Sequence, residues 1–143
     1  MHFTEYHVRL AAYAVIGDGE HILLTWYNGE QGKAEPGWSL PGGGIEFDES
    51  VSAGLVREVL EETGYEVELG PMLAEDHVVV PATVDRAAIR AQRFYFAARI
   101  TGGTLGTLEE DGTTDFARWV PLGALLDEPV NDVVKLGVEL LRG

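Results

Sequence analysis

The chain has 143 residues, 45% hydrophobic and 24% charged, ordinary proportions for one folded domain and against intrinsic disorder. Ten Lys and Arg against 24 Asp and Glu give a formal net charge of −14, which argues against a general grip on nucleic acid polymer or on an anionic membrane surface. The absence of cysteine removes disulfides, thiol nucleophiles and thiolate metal sites, and no apolar run reaches the roughly 18 residues of a membrane span.

Met1, His2, Phe3, Thr4 and Glu5 form neither the basic nor the apolar part of a secretory signal, so the expected setting is the cytoplasm. Residues 7–16 then read as a buried strand, with Val8, Leu10, Ala12, Ala14 and Ile16 on one parity. Gly17, Asp18, Gly19 and Glu20 compose a tight turn, and residues 21–26 return as a strand, so the first unit reads as a hairpin. Residues 28–36 are polar and rich in breakers and read as an exposed loop. Residues 38–40 form a short extended piece, after which Pro41, Gly42, Gly43 and Gly44 force irregular backbone.

Residues 48–63 are the strongest helix, with Asp48 or Ser50 as cap and Gly64 as a left-handed exit. Val51, Leu55 and Val59, with Ala53, Val56 and Leu60, make its apolar stripe. Strands follow at 65–69 and 75–80, then a loop or short helix over 81–91, then a strand at 93–100. In that strand Phe94, Phe96 and Ala98 face one way and Tyr95, Ala97 and Arg99 the other. Residues 101–114 read as a loop, 116–120 as a last strand, 122–126 as a helical turn and 131–141 as an amphipathic helix. No repeat, linker or low-complexity tract interrupts the chain, so 1–143 reads as a single domain.

The chemistry concentrates between Gly43 and Tyr65. On a helix Glu58 meets Glu61 at i+3 and Glu62 at i+4, and each like-charged pair costs a few tenths of a kcal/mol. All three sit near the helix C-terminus, where the macrodipole disfavours negative charge. A hard divalent cation removes both penalties, because Mg²⁺ takes carboxylate, phosphate and water oxygens. Taken alone, such a patch also reads as a solvated acidic face. Its neighbours shift that balance: the glycine run lets backbone approach the helix start, and Arg57 can pair with Glu49 or Glu61 and hold the array still.

The segment resembles the Nudix (MutT-type) hydrolase signature, G-x5-E-x7-R-E-U-x-E-E-x-G-U with U a large aliphatic residue. Gly43, Glu49, Arg57, Glu58, Glu61, Glu62 and Gly64 fall on its fixed positions, and Tyr65 stands where an aliphatic is usual. That difference is expected to alter packing and not chemistry. Trp38 to Gly42 is similar to the usual lead-in, and Arg118, Trp119, Val120, Pro121 and Leu122 to the family's late strand and turn.

The resemblance implies an α/β fold, an α/β/α sandwich with a central mixed β-sheet. It implies hydrolysis of a pyrophosphate linkage in a nucleoside diphosphate derivative, such as a (deoxy)nucleoside triphosphate or ADP-ribose/nucleotide sugar, with Mg²⁺ or Mn²⁺. Glu58, Glu61 and Glu62 match the metal-binding carboxylates, and Gly42 the glycine whose carbonyl joins them. Arg57 matches the orienting arginine, with Glu49, Gly43 and Gly64 in support. Catalysis is assigned to Glu58, Glu61 and Arg57, either glutamate being able to take the water's proton. Glu109, Glu110 and Asp115 are further acids in the late loop, each equally readable as a solvated turn residue. For substrate contact the candidates are Trp26, Tyr27, Arg93 and Glu110, with Arg9 a second arginine able to meet phosphate. Pro81, sixteen residues after Tyr65, resembles a feature of ADP-ribose-cleaving relatives, but 143 residues are expected to leave no room for the extra N-terminal piece many of them use to dimerise. A homodimer is expected by family habit. The alternative is a non-catalytic nucleotide-binding regulatory module on the same fold. His2, His7, His21 and His77 lack metal-ligand spacing and read as structural.

Overall fold

A computed structural model describes residues 1–108 and 110–143. Its strands are β1 (Tyr6–Val15), β2 (His21–Tyr27), β3 (Gly37–Ser39), β4 (Gly42–Gly44), β5 (Tyr65–Val80), β6 (Ala88–Gly103) and β7 (Thr114–Pro121). Helix α1 spans Val51–Thr63 and α2 Asp132–Arg142, with a short 3₁₀ turn at Leu122–Asp127. The expected mixed sheet is present as β4-β1-β6-β5, in which β1 and β6 run parallel and the other pairs antiparallel. A second, antiparallel sheet has the order β3-β2-β7.

This arrangement corrects the hairpin expected for β1 and β2. The turn forms, with Asp18 Oδ1 accepting the Glu20 and His21 N–H groups at 2.7 Å each. Beyond the Gly17–Ile22 bridge, however, the strands part into different sheets. Both are apolar on both faces near the turn, so each can sit between two layers rather than against its neighbour.

The layers are held by two cores. On one side Leu55 and Val59 of α1, both fully buried, pack with Ala12, Ala14, Ile16 and Leu23. On the other, Val133 and Val134 of α2 pack with Ile22, Leu24, Leu40 and Tyr95. Each fully buried Val or Leu contributes roughly 1.5–3 kcal/mol. Gly137 of α2 lets Leu40 in: a Cβ there would meet the Leu40 side chain at 2.8 Å.

Helix α1 starts three residues later than expected. Ser50, not Asp48, is the cap, its hydroxyl accepting the Ala53 N–H at 3.1 Å. Gly64 ends the helix at φ +80°, as expected for a left-handed exit. Ala53 is exposed, and the buried stripe runs through Gly54 instead. The strands expected at 65–69 and 75–80 are one strand, β5, because Gly70 and Pro71 are absorbed as an irregularity in the ladder with β6. Likewise β6 begins at Ala88, inside the segment read as loop or short helix.

Val8 and Leu10 are 55% and 38% exposed, against the expectation of burial, and Val78, Val79 and Val80 lie exposed on edge strand β5. Among the described residues no helix is long and apolar enough to cross a membrane.

Candidate active site

The site lies where α1, the glycine strand β4 and the β6–β7 loop meet. Gly42 takes φ +139°, a left-handed value, and pairs with Tyr13 of β1. A Cβ at Gly42 would fall on the Ala12 carbonyl oxygen and 2.8 Å from Tyr13 Cα, so only glycine fits. A Cβ at Gly43 would already touch the Glu58 carboxyl carbon at 3.5 Å, and anything larger would fill the approach to it.

Arg57 organises the acidic face. Its Nε and Nη2 donate to the two Glu49 oxygens at 3.0 and 2.6 Å, a bidentate pair. Its Nη1 donates to Glu58 Oε1 and Glu61 Oε2, both at 3.2 Å. Glu49 also accepts the Glu46 N–H at 2.9 Å, and Gly54 leaves it room, since a Cβ there would stand 2.7 Å from Glu49 Oε1. The guanidinium beside it, helped by that N–H, holds the Glu49 carboxyl down from 4.5 to about 2. Arg57 is correspondingly raised.

Glu62 is set apart from the other two acids. It is 5% exposed, accepts the Gly42 N–H at 2.7 Å through Oε1 and the Thr114 hydroxyl at 2.9 Å through Oε2. The residues just before β7 help fix this end of α1. Gly106 and Leu108 N–H groups donate to the Thr63 and Glu61 carbonyls at 2.8 Å each, and Thr107 Oγ1 to the Glu62 carbonyl at 2.9 Å. Helix-end carbonyls that would otherwise lack partners are thus satisfied.

Glu58, Glu61 and Glu62 line one open pocket with Gly42, Gly43 and Arg9. Among the described residues no three acidic or histidine side chains converge to metal-holding distance, since Arg57 and the Gly42 N–H each draw the carboxylates toward themselves. The donor set is all hard oxygen, which suits Mg²⁺ or Mn²⁺; Mg²⁺ commonly takes one or two carboxylates and fills its remaining positions with water and phosphate.

A second cavity, of about 240 Å³, adjoins the first at Arg9, Gly42, Gly43 and Glu62. Tyr13, Thr25, Tyr27, Ser39 and Asn131 form its far walls. Burial and the nearby Glu30 carboxylate push the Tyr27 phenol up. Asn131 is the N-cap of α2 yet makes no side-chain cap bond.

Of the residues expected at the substrate, Tyr27 and Arg9 line this cavity. Trp26 belongs to an aromatic cluster instead, edge-on to Trp38 at 5.1 Å and stacked on Phe116 at 6.0 Å. Arg93 is 9% exposed and bound by two acids, Asp76 at 2.8 Å and Asp132 at 2.9 Å, which corrects its reading as a phosphate contact. Glu110 is exposed and lines neither pocket. Asp115 accepts the Asn28 amide at 3.0 Å, and Glu109 lies outside the described residues. Tyr13, Thr25, Ser39, Thr114 and Asn131 escaped the sequence reading. The one local signal was Tyr13, a large phenol set among alanines.

Residues 5–136 match the NUDIX domain family model. The chain belongs to the NUDIX domain family. Its likeness to solved NUDIX folds is broad: a NUDIX hydrolase from Nitrosomonas europaea superposes with a TM-score of 0.76 at 20% identity, covering 94% of this chain and 88% of that one. An ADP-ribose pyrophosphatase from Streptococcus suis gives a TM-score of 0.62 at 26% identity over 94% and 87%. A Bacillus subtilis protein named as a candidate 8-oxo-dGTP diphosphatase is 33% identical over 112 residues, 78% of this chain and 64% of its own length. An 8-oxo-(d)GTP phosphatase of Mycolicibacterium smegmatis is 32% identical over 91 residues, 64% of this chain and 26% of the relative. The chain thus spans less than two thirds of the length of these curated relatives. Within the NUDIX signature, Tyr65 departs by packing its ring toward Trp119 and accepting the indole N–H at 3.2 Å.

Proposed function

We propose that this chain is a divalent-metal-dependent pyrophosphohydrolase acting on a nucleoside diphosphate derivative. The observation that carries the reading is the junction of an acid-lined pocket with a nucleoside-sized, tyrosine-walled cavity across the Gly42 and Gly43 backbone. The names of two curated relatives support 8-oxo-(d)GTP as the first substrate to test, and the name of the Streptococcus suis structure supports ADP-ribose as the second.

Glu58, Glu61 and Glu62, with the Gly42 carbonyl, would hold Mg²⁺ or Mn²⁺. Such an ion offsets the charge of the diphosphate and makes water a stronger nucleophile. In the reaction a water oxygen bonds to phosphorus as the bridging P–O bond breaks, and the water's proton passes to Glu58 or Glu61. Arg57 sets the orientation of both through its Nη1, while its bidentate hold on Glu49 keeps the guanidinium in place. Glycine at 42 and 43 lets the phosphates come close to backbone, and Tyr13 and Tyr27 flank the nucleoside end of the cavity.

The test is product release from a panel of nucleoside triphosphates, 8-oxo-dGTP, ADP-ribose and nucleotide sugars with Mg²⁺, Mn²⁺ or EDTA, repeated with Glu61→Gln and Glu62→Gln. Metal-dependent cleavage that both variants abolish is the expected result. Unchanged turnover in both variants rejects the site, and no cleavage of any compound rejects the activity.

A further inference from the structure

We propose that Arg9 holds the phosphoryl group on the nucleoside side of the bond that breaks, an inference that rests on the function proposed above. A diphosphate reaching from the acid-lined pocket into the tyrosine-walled cavity carries charge along its whole length. Glu58, Glu61 and Glu62 offer a cation site at one end only. The phosphate nearer the nucleoside needs a counter-charge from the protein, because Glu30 and Glu62 also line that cavity and repel it.

Arg9 is the one basic residue among the described residues lining either space, and it lines both. The other arginines that sequence or position would nominate are committed elsewhere. Arg57 is shared among Glu49, Glu58 and Glu61, and Arg93 between Asp76 and Asp132. Arg118 lies over the Phe116 ring at 5.0 Å. Arg9, by contrast, is exposed and forms no hydrogen bond or ion pair with the described residues.

The fold also provides a place for its head group. Arg9 sits two and four residues before Ala11 and Tyr13 on β1, so it shares the face on which Tyr13 walls the cavity. Its guanidinium lies across Gly44 of β4, with Nη2 3.1 Å from where a Cβ would stand. A side chain at 44 would push it aside by a few tenths of an ångström. The missing side chain of Gly44 thus leaves the planar fork lying along the glycine strand, beside the route from one pocket to the other. An arginine fork suits phosphate because two N–H groups can meet two oxygens at once.

The experiment measures binding, by calorimetry in 10 mM Mg²⁺, of adenosine, guanosine and their α,β-methylene 5′-diphosphates, which resist cleavage. Wild type is compared with Arg9→Ala, Arg9→Lys and Arg90→Ala; Arg90 is on β6 in register with Val8 and so faces the opposite side of the sheet. All four proteins are checked by melting temperature. Arg9→Ala should bind the diphosphate analogues about 10- to 100-fold more weakly, the loss expected for charged hydrogen bonds, with nucleoside affinity unchanged. Arg9→Lys should recover part of that loss, and Arg90→Ala should match wild type. The proposal falls if Arg9→Ala binds the analogues as wild type does, or if nucleoside and analogue weaken equally. A wild type that neither binds the analogues nor cleaves any of the nucleotide panel overturns the functional reading and this inference together; cleavage by wild type with Arg9→Ala unaffected overturns this inference alone.

Discussion

Replacing Glu62 with Gln separates stability from chemistry at this site. The carboxylate accepts two buried donors, the Gly42 N–H at 2.7 Å and the Thr114 hydroxyl at 2.9 Å. Glutamine keeps one oxygen for the Gly42 N–H, and its amide can donate to a Thr114 hydroxyl that has turned round. Both bonds survive, and a negative charge leaves a buried position beside Glu58 and Glu61. Unfolding free energy in EDTA should therefore stay within about 1 kcal/mol of wild type. Glu62→Ala instead strands both donors, at about 1–3 kcal/mol each, so a loss of about 2–6 kcal/mol is expected. Under the proposed chemistry Gln is as inactive as Ala, because an amide is a poor ligand for a hard cation. A loss of several kcal/mol of transition-state stabilisation corresponds to at least about 100-fold in turnover. The assay is urea unfolding with EDTA and with Mg²⁺, alongside product release. Wild type should gain about 2.7 kcal/mol when Mg²⁺ reaches 100 times its dissociation constant, and Glu62→Gln should lose most of that gain. The reasoning is refuted if Glu62→Gln is destabilised as much as Glu62→Ala while turnover persists.

Three further outcomes follow from the geometry. Gly42→Ala should lower stability by more than about 2 kcal/mol, measured by denaturant unfolding, since its Cβ collides with the Ala12 carbonyl at a left-handed backbone position. Arg93→Met should cost about 2 kcal/mol in the same assay by stranding Asp76 and Asp132, less than for a fully buried pair because both acids retain solvent contact, and should leave phosphate affinity unchanged. The Glu49 carboxyl titrates lower in the folded chain than in the unfolded one, so its contribution is complete above about 4.5 and is lost as the pH falls toward about 2. Stability measured across that window should fall less steeply for Glu49→Gln than for wild type.

What was legible in the sequence is what one helix encodes. The spacing of Glu58, Glu61 and Glu62, the Ser50 cap and the Gly64 exit are all set within a few residues of one another, so local pattern determines them. The facing wall was not legible, because Tyr13, Thr25, Ser39, Thr114 and Asn131 come from separate segments joined only by tertiary packing. Arg93 misled for the same reason: the acids that occupy it lie 17 and 39 residues away. Gly70 and Pro71 looked like a break between two strands, but a long ladder with β6 tolerates an irregularity that short strands would not.

Strand β5 runs sixteen residues along an open sheet edge, and its last three, Val78, Val79 and Val80, meet solvent without a charged neighbour among them. Such an edge invites another chain to pair with it, and a lysine or proline is the usual guard. Pro71 with its irregularity guards the middle of this edge and Pro81 closes it, and a further guard is global: copies carrying −14 each repel one another before their edges meet. Solubility is therefore tied to ionisation, and concentrated protein should turn cloudy as acid brings it toward its isoelectric point near 4.5, while its fold is still intact.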